Sequence, residues 1–483
     1  MRISRTFSLL VLFTFYLSFI PSTSQAQEPE PKWAKKVGAK KFPSSKKLFY
    51  VNDFGAVDDT VTVNTKAIQA AIDAAAKNGG GIVAFRPGTY VTGSVFLKNN
   101  VNLRIDLGVL ILGSQSFDDY PEIDTRIAGI EMKWPAALIN MIGVKNVAIT
   151  GKGVINARGK FCWDKYWSMR RNEYEPKGLR WVVDYDAKRV RTILTQDAAD
   201  VNIKDITIKN AGFWTVQLLY STRITVDGII IRNNEDGHGP STDGIDVDSS
   251  SWVLIQNCDI DCNDDNFCLK AGRDADGLRV NRPTEYVVIR NSLARRGGGL
   301  VTLGSETSGG IRHVLATDLV AIGTGNAFHV KSAVTRGGTV EDIHIRNITM
   351  DSVKNAIKFN MNWNPSYSYS KLPAGYDSTS APAHWNKLLT VVTPEQGRPV
   401  FRNMYISNIH SRGALLAFSS TGLPASYVHN IHFKNIDLTV NESGIISFSE
   451  NWTFENVIIR PKDGKPFKVD NIKGIDLQQV SYK

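Results

Sequence analysis

Long apolar runs are almost missing from this 483-residue chain. The one candidate, Ser8 to Ile20, follows Arg2 and Arg5 and precedes Ser24-Gln25-Ala26. Residues 1–26 therefore read as a secretory signal cleaved after Ala26, because the run is too short and too early for a membrane anchor. No later segment is apolar enough to span a bilayer. The expectation is a secreted or periplasmic protein, monomeric and without a membrane span. Cysteine is scarce as well. Cys162, Cys258, Cys262 and Cys268 are too few for a disulfide scaffold and lack paired zinc spacing. Three of them crowd into residues 258–268, so one local disulfide and buried thiols both stay open. Heptads, zinc fingers and RNA-recognition signatures are absent. The formal charge of +10, or +8 without Arg2 and Arg5, is scattered rather than clustered. That argues against nucleic acid and suits an acidic partner.

Helical periodicity is confined to one early stretch. After a polar leader over residues 27–47, Leu48-Phe49-Tyr50-Val51 opens the fold. Asn64 is placed to cap a helix from Thr65 to about Lys77, with Ile68, Ala71, Ile72 and Ala75 on one face and Gly79-Gly80-Gly81 ending it. Strand-like runs follow at 82–85, 93–97, 101–105 and 109–112. From about Val144 the chain repeats itself as short β-branched alternations closed by Asn, Asp or Gly, such as VNIKDITIKN, ITVDGIIIRN and VHNIHFKNIDL. Corresponding strand starts recur at 27 residues from Val226 to Val253 and again from Met404 to Ile431. Strands at that period, with no helical pattern between, predict an all-β right-handed parallel β-helix over residues 48–483. The early helix would cap its first coil. Asparagine corners would stack as ladders inside the coil pile. Two stretches break the period, Asp164–Arg191 and Asn362–Pro399. Both are rich in aromatics and expected as structureless loops decorating the binding face, with sugar stacking favoured over simple anchoring.

The acidic residues concentrate in one place. Thr242-Asp243-Gly244 and Asn263-Asp264-Asp265-Asn266 lie on either side of a strand-like Trp252–Ile255, with 21 residues from Asp243 to Asp264. On successive coils, with backbones about 4.8 Å apart, these turns would share one corner. Asx residues are also ordinary turn formers, and Ca²⁺ binding is a further use of such a cluster. The adjacent pair is less easily structural, because carboxylates that repel would need an irregular corner to face one way. Convergent carboxyls are what acid/base hydrolysis of a glycosidic bond requires.

The chain resembles glycoside hydrolase family 28, the polygalacturonase family, over nearly all of its expected mature length. The resemblance is carried by Asp53-Phe54-Gly55-Ala56 with the following helix, Phe213-Trp214-Thr215, Ser241-Thr242-Asp243-Gly244, Asp264-Asp265, Gly297 to Ser305, and His329-Val330-Lys331. It implies an inverting hydrolase that needs no metal or cofactor. Asp264 would be the general acid, and Asp243 and Asp265 would hold and deprotonate water. The acid and base would stand roughly 6.5–9.5 Å apart. Its pattern is broken where Gly298 replaces a histidine, His329 an arginine, Ser241 an asparagine and Asn266 a cysteine. Lys331 keeps its place, and His329, Arg336, Arg312 and Lys270 are candidates to bind substrate beside the space at Gly298. The implied substrate is an acidic pectic polysaccharide or oligosaccharide. With a neutral imidazole for a guanidinium, the expected preference is a rhamnogalacturonan-type linkage. A calcium-dependent eliminase using Lys331 or Lys270 as base is the alternative, as is a non-catalytic pectin-binding β-helix.

Overall fold

The computed structural model describes residues 29–483 except 236 and 377. The signal expected over 1–26 lies outside them. Short strands pair in parallel from one coil to the next, and the fold is a right-handed parallel β-helix. The sequence explains why. Along the register Val216, Ile245, Phe267, Val301, Phe328, Ile357 and Phe418 align as one inward column. Their neighbours Gln217, Asp246, Cys268, Thr302, His329, Lys358 and Ser419 align as one outward column. Alternation at period two sends apolar residues in and polar residues out on every coil. One apolar core runs without interruption from Val51 to Val480.

The helix Thr65–Lys77 forms where its periodicity places it, and Ile68, Ala71, Ile72 and Ala75 are its buried face. It closes the first coil. Asn64 occupies the N-cap position but makes no side-chain cap bond. Its amide instead pins the preceding loop, accepting from Val57 N at 2.7 Å and donating to Thr62 O at 2.9 Å. The asparagine ladder exists, though at an outer corner rather than inside the pile. Asn456 donates to Asn435, Asn435 to Asn408, and Asn408 to Asn347, at 2.9–3.1 Å. All four sit at positive φ, the left-handed conformation that asparagine tolerates.

Three features depart from expectation. The described part of the polar leader is a strap lying across the solenoid. Ala34, Trp33 and Val37 cover Leu254, Val288 and Leu315, and Gly38 N donates to Trp252 O at 2.9 Å. Trp33 meets Tyr286 edge-on with centroids 5.7 Å apart, and Tyr286 stacks on Trp252 at 4.1 Å. The two insertions are not structureless. They fold into short helices, including Lys160–Ser168 and Ala383–Leu389. Half of their ten aromatics are buried anchors, Tyr166, Trp181, Tyr185, Tyr367 and Trp385. Finally, Glu122–Ile127 and Ile130–Pro135 form an antiparallel hairpin that the repeat pattern did not announce. Its two-residue turn, Ala128-Gly129, has φ of 41° and 91°, so an alanine stands where hairpin turns usually carry Asn or Asp.

The strap gives a test of stability. Trp33 is half-buried, so Trp33→Ala should cost about 2 kcal/mol, below the value for a fully buried tryptophan. The readout is the urea unfolding midpoint, and Trp33→Phe should recover most of the loss. An unchanged midpoint in the alanine variant would mean that the strap contributes no stability.

Candidate active site

Extending the register back from Ile245 opposite Phe267 sets Asp243 opposite Asp265. Gly244 N donates to Asp265 O at 2.9 Å at this point. The aligned partner of Asp243 is therefore Asp265, not Asp264. Asp264 sits in the corner just before the strand, where its Oδ1 accepts from Asp265 N at 2.9 Å. That corner lets adjacent carboxyls face the same way. All three line a cavity of about 80 Å³ together with Lys270, Glu306 and Lys331. Hairpin residue Ala128, Arg180 and Asp184 of the first insertion, and Trp363 and Tyr367 of the second complete its walls.

Two lysines balance the acids. Lys331 Nζ donates to Asp265 Oδ2 at 2.8 Å and lies 4.5 Å from the Trp363 ring centre. Lys270 Nζ stands 3.6 Å from Asp243, 3.6 Å from Asp246 and 3.5 Å from Glu306, over the Trp214 ring. Thr302 Oγ1 donates to Asp265 Oδ1 at 2.8 Å. Asp243 Oδ1 and both Asp246 oxygens are buried without a hydrogen-bond partner.

These surroundings drive the carboxyls apart. Burial pushes Asp264 up, and the Asp265 charge adds to it. Burial also pushes up Asp265, but the Lys331 and Lys270 charges outweigh it and hold that carboxyl at about 2. Asp243 rises well above its ordinary value through burial and then Asp264. Asp246 rises through burial and then Asp243. Glu306 is held at about 2, burial being overcome first by Lys270. Like charges packed in a dry site cannot all ionise.

The other expected site residues scatter. Gly298 is adjacent, its N donating to Asp264 O at 2.8 Å. The space there is narrow, since a Cβ would meet Asp265 Oδ1 at 3.0 Å. His329 lies in register between Thr302 and Lys358, buried, with Nε2 unpartnered. Burial and then Lys331 hold it well below its ordinary value, so it is neutral. Neither Gly298 nor His329 lines the cavity itself, nor do the two expected arginines. Arg336 is fully buried in an ion pair with Asp274, and its charge adds to that of Lys270 in lowering Glu306. Arg312 is on another face, donating to Glu285 at 2.7 Å. Long basic side chains near an acidic motif in sequence were not near it in space. Sequence reasoning missed Asp246 and Glu306. The alternation Ile245-Asp246-Val247-Asp248 was a readable sign that Asp246 faces outward.

The cysteines are four buried free thiols. Ligand atoms of Asp243, Asp265 and Cys268 lie within 4.8 Å of one another, which is cation-binding spacing. Lys331 already holds Asp265, however, and burial pushes the Cys268 thiol well up, so the set offers no ready thiolate. Among the described residues no helix is long and apolar enough to cross a membrane.

Comparison with known proteins agrees with this architecture. The model of glycosyl hydrolases family 28 matches residues 89–376. A probable polygalacturonase of Vitis vinifera is 33% identical over 62% of this chain and 60% of its own length. An exo-poly-alpha-D-galacturonosidase of Dickeya chrysanthemi is 26% identical over 87% of this chain and 75% of its own. The chain thus spans three fifths of the grapevine relative. Among solved structures, a hyperthermoactive exopolygalacturonase of Thermotoga maritima superposes with a TM-score of 0.69 at 23% identity, covering 91% of this chain and 94% of that one.

The charge arrangement predicts how stability responds to pH. Asp246 keeps its proton in the fold above the pH at which the unfolded chain releases it. Its contribution favours the fold at low pH and is lost as pH rises through the raised value. Asp265 and Glu306 act in the opposite sense, stabilising above about pH 4 and losing that contribution as pH falls toward 2. Asp246→Asn should therefore raise Tm more at pH 8 than at pH 4. Equal shifts at both pH values would show Asp246 titrating as an ordinary carboxyl.

Proposed function

The chain belongs to glycosyl hydrolases family 28, and from that membership we propose that it is an inverting glycosidase cleaving galacturonosyl linkages in pectic material. The observation that carries the reading is the pair Asp264 and Asp265. Adjacent carboxyls in one cavity are pushed in opposite directions, one up by burial and one down to about 2. Such a split separates an acid from a base. Asp264 keeps a proton to give to the departing glycosidic oxygen. Asp265, ionised against Lys331, takes a proton from water attacking the opposite face of the anomeric carbon. Asp243 positions that water through its unpartnered Oδ1. With its own carboxyl raised, it leaves the negative charge to Asp265.

Substrate follows from the walls. The insertions join over the cavity, with Trp181 Nε1 donating to Lys371 O at 3.0 Å and Trp181 edge-on to Trp385 at 5.5 Å. A roofed site suits chain ends and short oligosaccharides better than the middle of a polymer. Lys270 and Lys331 are already engaged by carboxylates, and His329 is neutral. That supports a chain in which acidic and neutral sugars alternate, as in rhamnogalacturonan, over one with a carboxylate at every ring. The eliminase reading is disfavoured. It needs an uncharged amine as base, whereas both lysines are held above their ordinary value despite burial. The residue 1–26 leader is proposed to export the enzyme.

Asp264→Asn should lower kcat by about 100-fold or more, the usual worth of a general acid, while circular dichroism and ligand affinity stay near the parent. Activity above about a tenth of the parent would sink the assignment. Early-time proton NMR should show the released sugar with inverted anomeric configuration, and EDTA should leave the rate unchanged. Retention, a trapped glycosyl-enzyme, or calcium-restored activity would each contradict the mechanism. On substrate, kcat/KM for rhamnogalacturonan oligomers should exceed that for polygalacturonate, and the reverse order would refute the preference.

A further inference from the structure

The cations around the reaction centre are already committed within the protein. Lys331 is bound to Asp265, Lys270 lies among Asp243, Asp246 and Glu306, and Arg180 pairs with Asp184. The outward column of the same sheet holds one exception. Lys358 follows His329 in register, on the Val353–Asn360 strand, one coil beyond Lys331. We infer that Lys358 is the cation that receives a substrate carboxylate on the C-terminal-coil side of the reaction centre, an inference that rests on the acidic-substrate reading above.

Three observations support this. Lys358 is half-buried, yet it forms no ion pair or hydrogen bond among the described residues. Its register neighbours, His329 and Ser419, are neutral, and no acidic residue stands on the strands Asn326–Lys331 or Val353–Asn360. Burial and then Lys331 hold its ammonium below the ordinary lysine value, so its charge is desolvated with nothing to compensate it. Most lysines escape such a position by reaching into water. A carboxylate from outside the protein would supply the missing partner.

The location suits a bound sugar chain. Lys358 is three coils from Asp265, roughly 14 Å along the axis at about 4.8 Å per coil. Between them in the outward column stand Thr302 and His329, both polar.

The test is Lys358→Met, with Lys358→Arg as the charge-preserving control. A charge-assisted bond is worth about ten- to hundredfold in affinity, so kcat/KM on galacturonate oligomers should fall by about tenfold or more in the methionine variant and stay within about threefold in the arginine variant. The salt dependence of kcat/KM should flatten, and Tm should not fall, because an uncompensated charge is removed. Calorimetric binding of di- and trigalacturonate, beside the matching neutral galactose oligomers, separates the two readings. A parent that binds the acidic oligomers through Lys358 without hydrolysing them would keep this inference and overturn the hydrolase. Unchanged acidic-ligand affinity in Lys358→Met, or a parent that binds acidic and neutral oligomers equally, would overturn the inference. So would a loss of Tm accompanying the loss of binding, since that marks a structural role.

Discussion

Everything in this molecule hangs on the parallel ladder between coils. Each strand hydrogen-bonds to the one above and the one below, so side chains one coil apart are forced into register. The inward column is apolar and forms the core. The outward column would ordinarily face water, but here the hairpin and both insertions cover part of it. Asp246, Asp265, Lys270 and Lys331 are outward-facing residues made buried by a roof. Their unusual protonation follows from that geometry and not from any special residue.

Charge balance is the second consequence. Asp243, Asp246, Asp264, Asp265 and Glu306 share two ammonium groups, Lys270 and Lys331. Two carboxyls are held at about 2, and burial pushes the other three up. Glu306 and Asp265 take the low values because Lys270 and Lys331 dominate their surroundings. Burial and then the Asp265 charge push Asp264 up, against the backbone hydrogen bond it accepts from Asp265 N.

What could be read from the sequence was whatever depends on local periodicity. The helix Thr65–Lys77, the strand repeat and the convergence of Asp243 with Asp264 and Asp265 are all consequences of spacing along the chain. The register was misjudged between two earlier strands, where Val226 pairs with Ile255 and not with Val253. Local pattern also could not tell which coil face a basic residue occupies. Arg312 and Lys358 are both outward-facing lysine or arginine residues on β-branched strands, yet only Lys358 stands on the sheet with the acids. The strap and the insertions escaped for another reason. Their order comes from tertiary contact, Trp33 against Tyr286 and Trp181 against Trp385, which no short-range signal encodes.

Gly298 shows how tightly the departures from the family pattern are linked. A missing side chain there looks, from sequence, like added room for substrate. In the fold a Cβ at this position would come to 3.0 Å from Asp265 Oδ1, tight by a few tenths of an ångström, and to an ordinary 3.4 Å from Asp264 Oδ1. Asp265 cannot move away freely, because Lys331 holds one oxygen at 2.8 Å and Thr302 the other at 2.8 Å. A side chain there would press on Asp265 in its present position. Lys331 is drawn onto Asp265 and is engaged by the protein's own carboxylate. Once that lysine is committed, and with His329 neutral beside it, a cation for an acidic sugar has to come from a further coil. In a solenoid the next coil is always about 4.8 Å away and already in register, which makes the displacement of a binding charge along the stack a small structural change.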